Sequence, residues 1–127
     1  MKLSGIGVDI IENLRFKKMI KNKKFLKRVF SNYEILNSKK KSNKISFFAK
    51  RFAAKEAFSK SLGTGFRNNL NLKDIVVKND KSGKPFFYIK KKIKFFIKKK
   101  FNANKFNFFL SISDEKNYSI AFVIFQK

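Results

Sequence analysis

The sequence contains no cysteine and no histidine. Without cysteine the chain has no disulfide framework and no thiolate metal site. Without histidine it has no imidazole base and no zinc site of the usual kind. A metal ion bound by this chain must therefore take oxygen ligands, which favours magnesium, manganese or calcium.

Acidic residues are also scarce. The chain has 8 aspartates and glutamates against 32 lysines and arginines, a net charge of +24. Such a charge is typical of proteins that bind nucleic acid or an anionic membrane. The basic residues are almost all lysine, however, whereas surfaces that read phosphates and bases usually enrich arginine. We interpret most of the charge as the product of an AT-rich genome, although it should still attract acidic partners.

Long apolar runs are missing as well. No stretch is long enough to span a bilayer, and no apolar run follows Lys2 as it would in a signal peptide. We therefore expect a cytoplasmic protein. With 127 residues, of which 43% are apolar, the chain is expected to form one folded domain over residues 1–127.

The hydrophobic pattern predicts an α+β fold, in which a mostly antiparallel sheet packs against a long central helix. Alternation over residues 3–12 predicts a first strand, with Ile6, Val8 and Ile10 on one face. Helical spacing predicts short helices at about 13–22, 25–30 and 31–37, the long helix at 45–62, and an amphipathic helix at 90–101. Two hairpins are predicted, with strands at 72–78, 86–89, 106–113 and 118–125.

Two carboxylates interrupt these apolar patterns. Asp9 lies within the first strand, and Glu56 continues the apolar stripe of the long helix. An unpaired buried carboxylate is costly. Taken alone, Asp9 is interpreted as a cap for the next helix, and Glu56 as one half of a buried ion pair. If the helix packs on the sheet, the two acids converge, and with phosphate oxygens they form an ordinary magnesium site.

Cations and glycines flank Glu56 in the pattern Lys-Glu-x-x-x-Lys-x-x-Gly-Thr-Gly. Lys55 and Lys60 suit a polyphosphate, and Gly63 suits the left-handed end of a helix. The turn Gly63-Thr64-Gly65 offers backbone N–H groups and a hydroxyl to an anion. The array therefore favours a phosphate-binding site beside the two carboxylates.

Two longer stretches resemble the signatures of the holo-acyl-carrier-protein synthases. The first is Gly5-Ile6-Gly7-Val8-Asp9-Ile10-Ile11-Glu12, and the second is Arg51-Phe52-Ala53-Ala54-Lys55-Glu56-Ala57 with Lys60 and Gly63-Thr64-Gly65. The loop over residues 79–85 and the ending over residues 110–121 also match in order and spacing. The resemblance covers essentially the whole chain and implies the 4′-phosphopantetheinyl transferase fold.

That resemblance implies an enzyme of fatty acid biosynthesis. It would transfer 4′-phosphopantetheine from coenzyme A to a serine of an acidic apo-acyl carrier protein and release adenosine 3′,5′-bisphosphate. Asp9 and Glu56 would be the Mg²⁺ ligands, and Glu56 and Lys60 the catalytic residues. The serine proton would pass to a water on the metal or to Glu56 itself. Short members of this family are typically homotrimers with active sites between subunits.

The resemblance also assigns binding residues. Those expected to contact coenzyme A are Lys55, Lys60, Gly63, Thr64, Gly65, Lys84 and Ser111. Arg15 would contact the carrier protein, and Lys17, Lys18 and Arg28 would extend that patch. One departure is Phe109, which stands where many members carry a histidine near the nucleotide. We expect weaker coenzyme A affinity, or compensation by another lysine.

Two other hypotheses account for less of the sequence. A small basic RNA- or ribosome-binding protein would explain the charge and the aromatics, but not two acids on apolar faces. A decayed relative that only binds the carrier protein conflicts with the intact Asp9 and Glu56. The basic face of the helix at 90–101 is interpreted as solvated, so neither a nucleic acid nor a membrane is expected as a partner.

Overall fold

Two antiparallel sheets flank one long helix. The computed structural model describes residues 2–63 and 70–127. Its strands are β1 (Leu3–Glu12), β2 (Ile75–Asn79), β3 (Pro85–Ile89), β4 (Asn107–Asp114) and β5 (Tyr118–Gln126). Its helices are α1 (Phe16–Met19), α2 (Lys23–Val29), α3 (Asn32–Ser38), α4 (Lys44–Ser61) and α5 (Lys91–Phe101). This architecture is α+β, as the pattern predicts.

The larger sheet has the strand order β1-β5-β4, and β2 and β3 form the smaller one. In the larger sheet Asp9 pairs with Ala121, and Val8 pairs with Phe122. The helix α4 lies across the inner face of this sheet. The predicted hairpins β2–β3 and β4–β5 are both present.

Glycines on β1 allow α4 to approach the strand backbone to backbone. A Cβ atom added at Gly5 would overlap the Ser61 carbonyl oxygen, and one added at Gly7 would overlap the Ala57 carbonyl oxygen. The helix presents small side chains here at intervals of four residues, so they share one face. The glycine face of β1 is therefore the inner face, and Ile6, Val8 and Ile10 point outward.

Phenylalanines fill much of the interior. Phe108 stacks on Phe58 and on Phe125, with ring centroids 4.3 and 4.8 Å apart. A second group around the buried Phe16 and Phe30 joins the short helices to α4. Their offset and tilted geometries are the favourable ones for aromatic pairs. This packing places these phenylalanines in the core.

The helix ends follow local rules. Ser31 and Glu34 form a capping box at the start of α3, and Asn43 caps α4. Gly63 follows α4 with φ of +73°, as predicted for a left-handed helix end. No helix in the described part of the chain is both long and apolar enough to cross a membrane.

Two predicted elements differ from the structure. The helix expected at 13–22 is a 3₁₀ turn, Asn13–Arg15, followed by the four-residue α1. Here the Asn13 side chain donates to the carbonyls of Glu115 and Lys116, which ties this turn to the β4–β5 connection. The strand expected from residue 72 begins at Ile75, because Leu72–Asp74 forms another 3₁₀ turn.

Candidate active site

Asp9 and Glu56 face each other between β1 and α4. Asp9 lies on the inner face of β1, and the glycines before it bring α4 close enough for Glu56 to approach. Burial raises the pKa of the Glu56 carboxyl, and the nearby charge of Asp9 raises it further. Lys60 and Arg15 oppose this rise. The strand acid and the helix acid thus form one electrostatic pair.

Lys60 lies at the open side of this pair. Its ammonium group donates to Asp9 Oδ1 at 3.0 Å and to the Val8 carbonyl at 3.0 Å. Four residues after Glu56, it shares the same helix face. The lysine side chain is about half exposed, at 53%, so it can reach a ligand that enters from solvent.

The two carboxylates suit a metal ion whose remaining ligands are phosphate oxygens and waters. The described residues contain no cluster of three or more histidine, cysteine, aspartate or glutamate side chains. Magnesium is usually bound by one or two carboxylates, with phosphates and waters completing its octahedron. Asp9 and Glu56 are therefore sufficient for Mg²⁺ beside a pyrophosphate, and insufficient for a closed protein cage.

Lys55 lies away from this pair. Its side chain is fully buried, and its ammonium group donates to Glu34 Oε1 at 2.7 Å and to the Leu72 carbonyl at 3.0 Å. Burial lowers the pKa of Lys55 to about 8, although the charge of Glu34 opposes the change. An ammonium group engaged inside the core does not face a coenzyme. The structure therefore gives Lys55 a different environment from the one that a coenzyme contact needs.

The other residues expected at the coenzyme lie on three elements. Gly63 lies two residues after the end of α4 and three after Lys60, whereas Thr64 and Gly65 lie outside the described residues. Lys84 is in the β2–β3 turn, where its backbone N–H donates to Asp80 Oδ1 at 2.9 Å. Ser111 is exposed on the outer face of β4.

The residues expected at the carrier protein are exposed on the segment after β1. Arg15 ends the 3₁₀ turn, and Lys18 and Arg28 lie on α1 and α2. Arg15 is near enough to Glu56 for its charge to favour the ionised carboxylate. A partner bound at Arg15 would consequently lie beside the carboxylate pair.

Arg51 lines a cavity, and the sequence pattern predicted no role for it. Arg51 is 7% exposed, donates to Asn79 Oδ1 at 2.7 Å, and lies over the Phe47 ring. Its Nε finds no hydrogen-bond partner among the described residues. It lines a cavity of about 490 Å³ whose rim carries Lys41, Lys50 and Lys81. Arginine is rare in this chain, and Arg51 lies within a stretch that resembles a family signature. These two features were the sequence signal that could have pointed to it.

The outer face of the larger sheet is apolar and exposed. On β1, Ile6, Val8 and Ile10 are 61%, 57% and 59% exposed. Val8 lies beside Phe122, and Ile10 beside Ile120. Contiguous exposed apolar surfaces mark sites of contact with another protein, a membrane or a ligand.

Comparison with known proteins identifies the family. A model described as the 4′-phosphopantetheinyl transferase superfamily matches residues 5–123. The holo-[acyl-carrier-protein] synthase of Pelagibacter ubique (strain HTCC1062) is 65% identical over 127 residues, which cover 100% of this chain and 99% of that protein. The synthase of Ehrlichia chaffeensis is 47% identical over 126 residues, 94% of each chain.

Solved structures give the same family. The crystal structure of holo-[acyl-carrier-protein] synthase from Neisseria meningitidis superimposes with a TM-score of 0.87 at 31% identity, covering 99% of this chain and 100% of that one. The synthase from Bacillus anthracis, solved in complex with coenzyme A, superimposes with a TM-score of 0.81 at 35% identity, covering 98% and 97%. The chain therefore belongs to the 4′-phosphopantetheinyl transferase superfamily, and within it to the holo-[acyl-carrier-protein] synthases.

Proposed function

We propose that this chain transfers 4′-phosphopantetheine from coenzyme A to a serine of apo-acyl carrier protein, which yields holo-acyl carrier protein and adenosine 3′,5′-bisphosphate for fatty acid biosynthesis. The observation that carries the proposal is the pair Asp9–Glu56 with Lys60 beside it, in a chain of this family. The coenzyme A complex of the Bacillus anthracis relative supports the donor substrate.

In the proposed reaction Asp9 and Glu56 hold Mg²⁺, which, when bound, withdraws charge from the pyrophosphate. The serine oxygen forms a bond to the phosphorus that carries pantetheine, and the bond from that phosphorus to the bridging oxygen breaks. Lys60 neutralises charge on the phosphates. In this proposal Glu56 receives the serine proton, either directly or through solvent.

The proposed coenzyme site consists of Lys60 and the segment Gly63-Thr64-Gly65, with Lys84, Ser111 and the Arg51 cavity as further contacts. Within residues 2–63 and 70–127 the Nε of Arg51 has no hydrogen-bond partner, and lysines line the same cavity; both features favour an anion. Lys55 is left out because its ammonium group is engaged by Glu34.

We propose a homotrimer, because in it residues of two subunits would contact the same coenzyme molecule. Residues 51 and 56 are five apart on α4, so their side chains point about 140° apart around the helix axis. One coenzyme molecule is more easily held between Glu56 of one subunit and Arg51 of the next. The exposed apolar face of the larger sheet supplies a surface for such contacts between copies.

The proposed protein substrate is an acidic acyl carrier protein in the cytoplasm. It would dock on the patch formed by Arg15, Lys17, Lys18 and Arg28, beside Glu56. The net charge of +24 would speed the encounter by long-range attraction.

Mass spectrometry of the carrier protein tests the proposal. Purified protein, coenzyme A and Mg²⁺ are incubated with apo-acyl carrier protein, and the carrier should gain the mass of one 4′-phosphopantetheine group. Chelation of the metal should stop the reaction. No mass gain, with a known synthase working in parallel, would refute the enzyme, and salt-sensitive RNA binding without transfer would favour the RNA-binding hypothesis.

A further inference from the structure

We propose that the buried pair Glu34–Lys55 positions Glu56 for metal binding, and this inference rests on the proposed function. Glu34 and Lys55 would not touch the substrate or the metal. They would act through α4, by fixing the direction in which the helix presents the carboxylate that follows Lys55.

The two charges form a hydrogen-bonded junction between several elements. Lys55 Nζ lies 2.7 Å from Glu34 Oε1 and donates to the Leu72 carbonyl at 3.0 Å. Glu34 also accepts from the backbone N–H of Ser31 at 2.9 Å and from that of Val77 at 3.0 Å. One side chain of α4 is thereby tied to α3, to β2 and to the 3₁₀ turn before β2. Both side chains are fully buried.

This junction and the glycine contacts hold α4 from different directions. Gly5 and Gly7 bring β1 against the backbone of Ala57 and Ser61. Lys55 is two residues before Ala57, so it leaves the helix about 160° away from it. A helix that is held in these two directions cannot rotate about its axis, and its rotation determines where Glu56 points.

Glu56 depends on that rotation because little else holds it. Within residues 2–63 and 70–127, no hydrogen bond or ion pair fixes its carboxylate, whereas Asp9 is bonded to Lys60. A metal ligand usually needs support from outside the coordination sphere, and loss of such support typically weakens metal binding about 10- to 100-fold. The junction at Lys55 supplies this support through the backbone.

Simple stabilisation is a weaker explanation for the pair. Two buried charges lose their hydration, and replacing them by apolar side chains of similar volume is often neutral or favourable for stability. Leucine and methionine would leave the backbone groups of Ser31, Leu72 and Val77 without these partners, which also costs stability. In such a variant, a pair kept only for stability would lose stability but keep the wild-type affinity for metal, whereas a pair that positions Glu56 would lose affinity for metal.

The double variant Glu34→Leu/Lys55→Met separates these explanations. Mn²⁺ binding is titrated by electron paramagnetic resonance, with and without coenzyme A, alongside thermal unfolding. We expect a folded protein whose Kd for Mn²⁺ is about 10-fold higher or more. Glu115→Gln, which removes a charge in the β4–β5 connection, away from the junction, should leave the Kd unchanged. A wild-type Kd in the folded double variant would overturn the inference.

Glu34→Gln provides a second measurement if the double variant does not fold. It keeps the shape of Glu34 and one oxygen for Ser31. Its KM for Mg²⁺ should rise, while its KM for coenzyme A at saturating Mg²⁺ should stay near the wild-type value. A wild-type Mg²⁺ dependence would overturn the inference. Failure of the wild-type protein to bind Mn²⁺ and to transfer would instead refute the proposed function, and the inference with it.

Discussion

At neutral pH the charged carboxylate of Glu56 is expected to lower the stability of the metal-free folded protein. Burial and the neighbouring Asp9 raise its pKa, so the folded protein binds a proton there more readily than the unfolded chain does. Such a group favours folding at low pH, and this contribution is lost as the pH rises through the folded pKa. At neutral pH its charge is therefore unfavourable in the absence of metal.

Glu56→Gln should consequently raise the melting temperature of the metal-free protein at pH 7 and abolish transfer. The rate should fall more than about 100-fold, because a metal's contribution is worth several kcal/mol and about 1.4 kcal/mol is tenfold in rate. Thermal unfolding and the carrier mass shift measure the two effects. Retention of transfer by the Glu56→Gln variant would show that Glu56 has a structural role only.

At this scale the pattern of the sequence locates Asp9 and Glu56, because each breaks an apolar stripe. For Lys55 the sequence is a poorer guide. Because Lys55 is next to Glu56 in the chain, it was predicted to contact phosphate, as Lys60 was. Lys60 is four residues from Glu56 and shares its helix face, whereas Lys55 is about 100° away and turns inward. Its partner Glu34 is predictable only as a cap, since a capping box gives no sign of a second, long-range bond.

At the scale of elements, the contact between β1 and α4 forms the site. Gly7→Ala should lower the free energy of unfolding by about 1–3 kcal/mol, because the new Cβ atom overlaps the Ala57 carbonyl and must displace the helix. Transfer should fall as well, since the displacement separates Asp9 from Glu56. Urea unfolding measures the stability, with Ser4→Ala on the same strand as the control. Unchanged stability would contradict the close approach.

The order of these elements was predictable, because alternation and helical spacing are local properties. The orientation of β1 was not. Ile6, Val8 and Ile10 form the more apolar face in sequence, yet the glycine face packs on α4. If another copy covers the outer face, as proposed, β1 is buried on both sides, and its sequence then carries no signal of which side packs on its own helix.

At the scale of the whole molecule, the outer sheet face should hold copies together. Val8→Lys places a charge on this face, beside Phe122 of the central strand, and should convert the proposed trimer to monomers, because burying an unpaired charge is costly. Light scattering after gel filtration measures the mass. Leu36→Lys, at an exposed leucine of α3, should leave the assembly intact. A wild-type mass for the Val8→Lys variant would exclude this face as the interface.

If the active sites lie between subunits, trimers that contain two different inactive variants should regain some activity. Glu56→Gln and Arg51→Ala should each reduce transfer when assayed alone. If one coenzyme molecule contacts Glu56 of one subunit and Arg51 of the next, co-expression of the two variants creates some sites with both native residues. Random assortment of equal amounts gives about a quarter of such sites. Activity of the whole co-expressed population, with its homotrimers included, near that fraction of wild type supports sites between subunits, and activity no higher than that of the separate variants places both residues in one subunit's site.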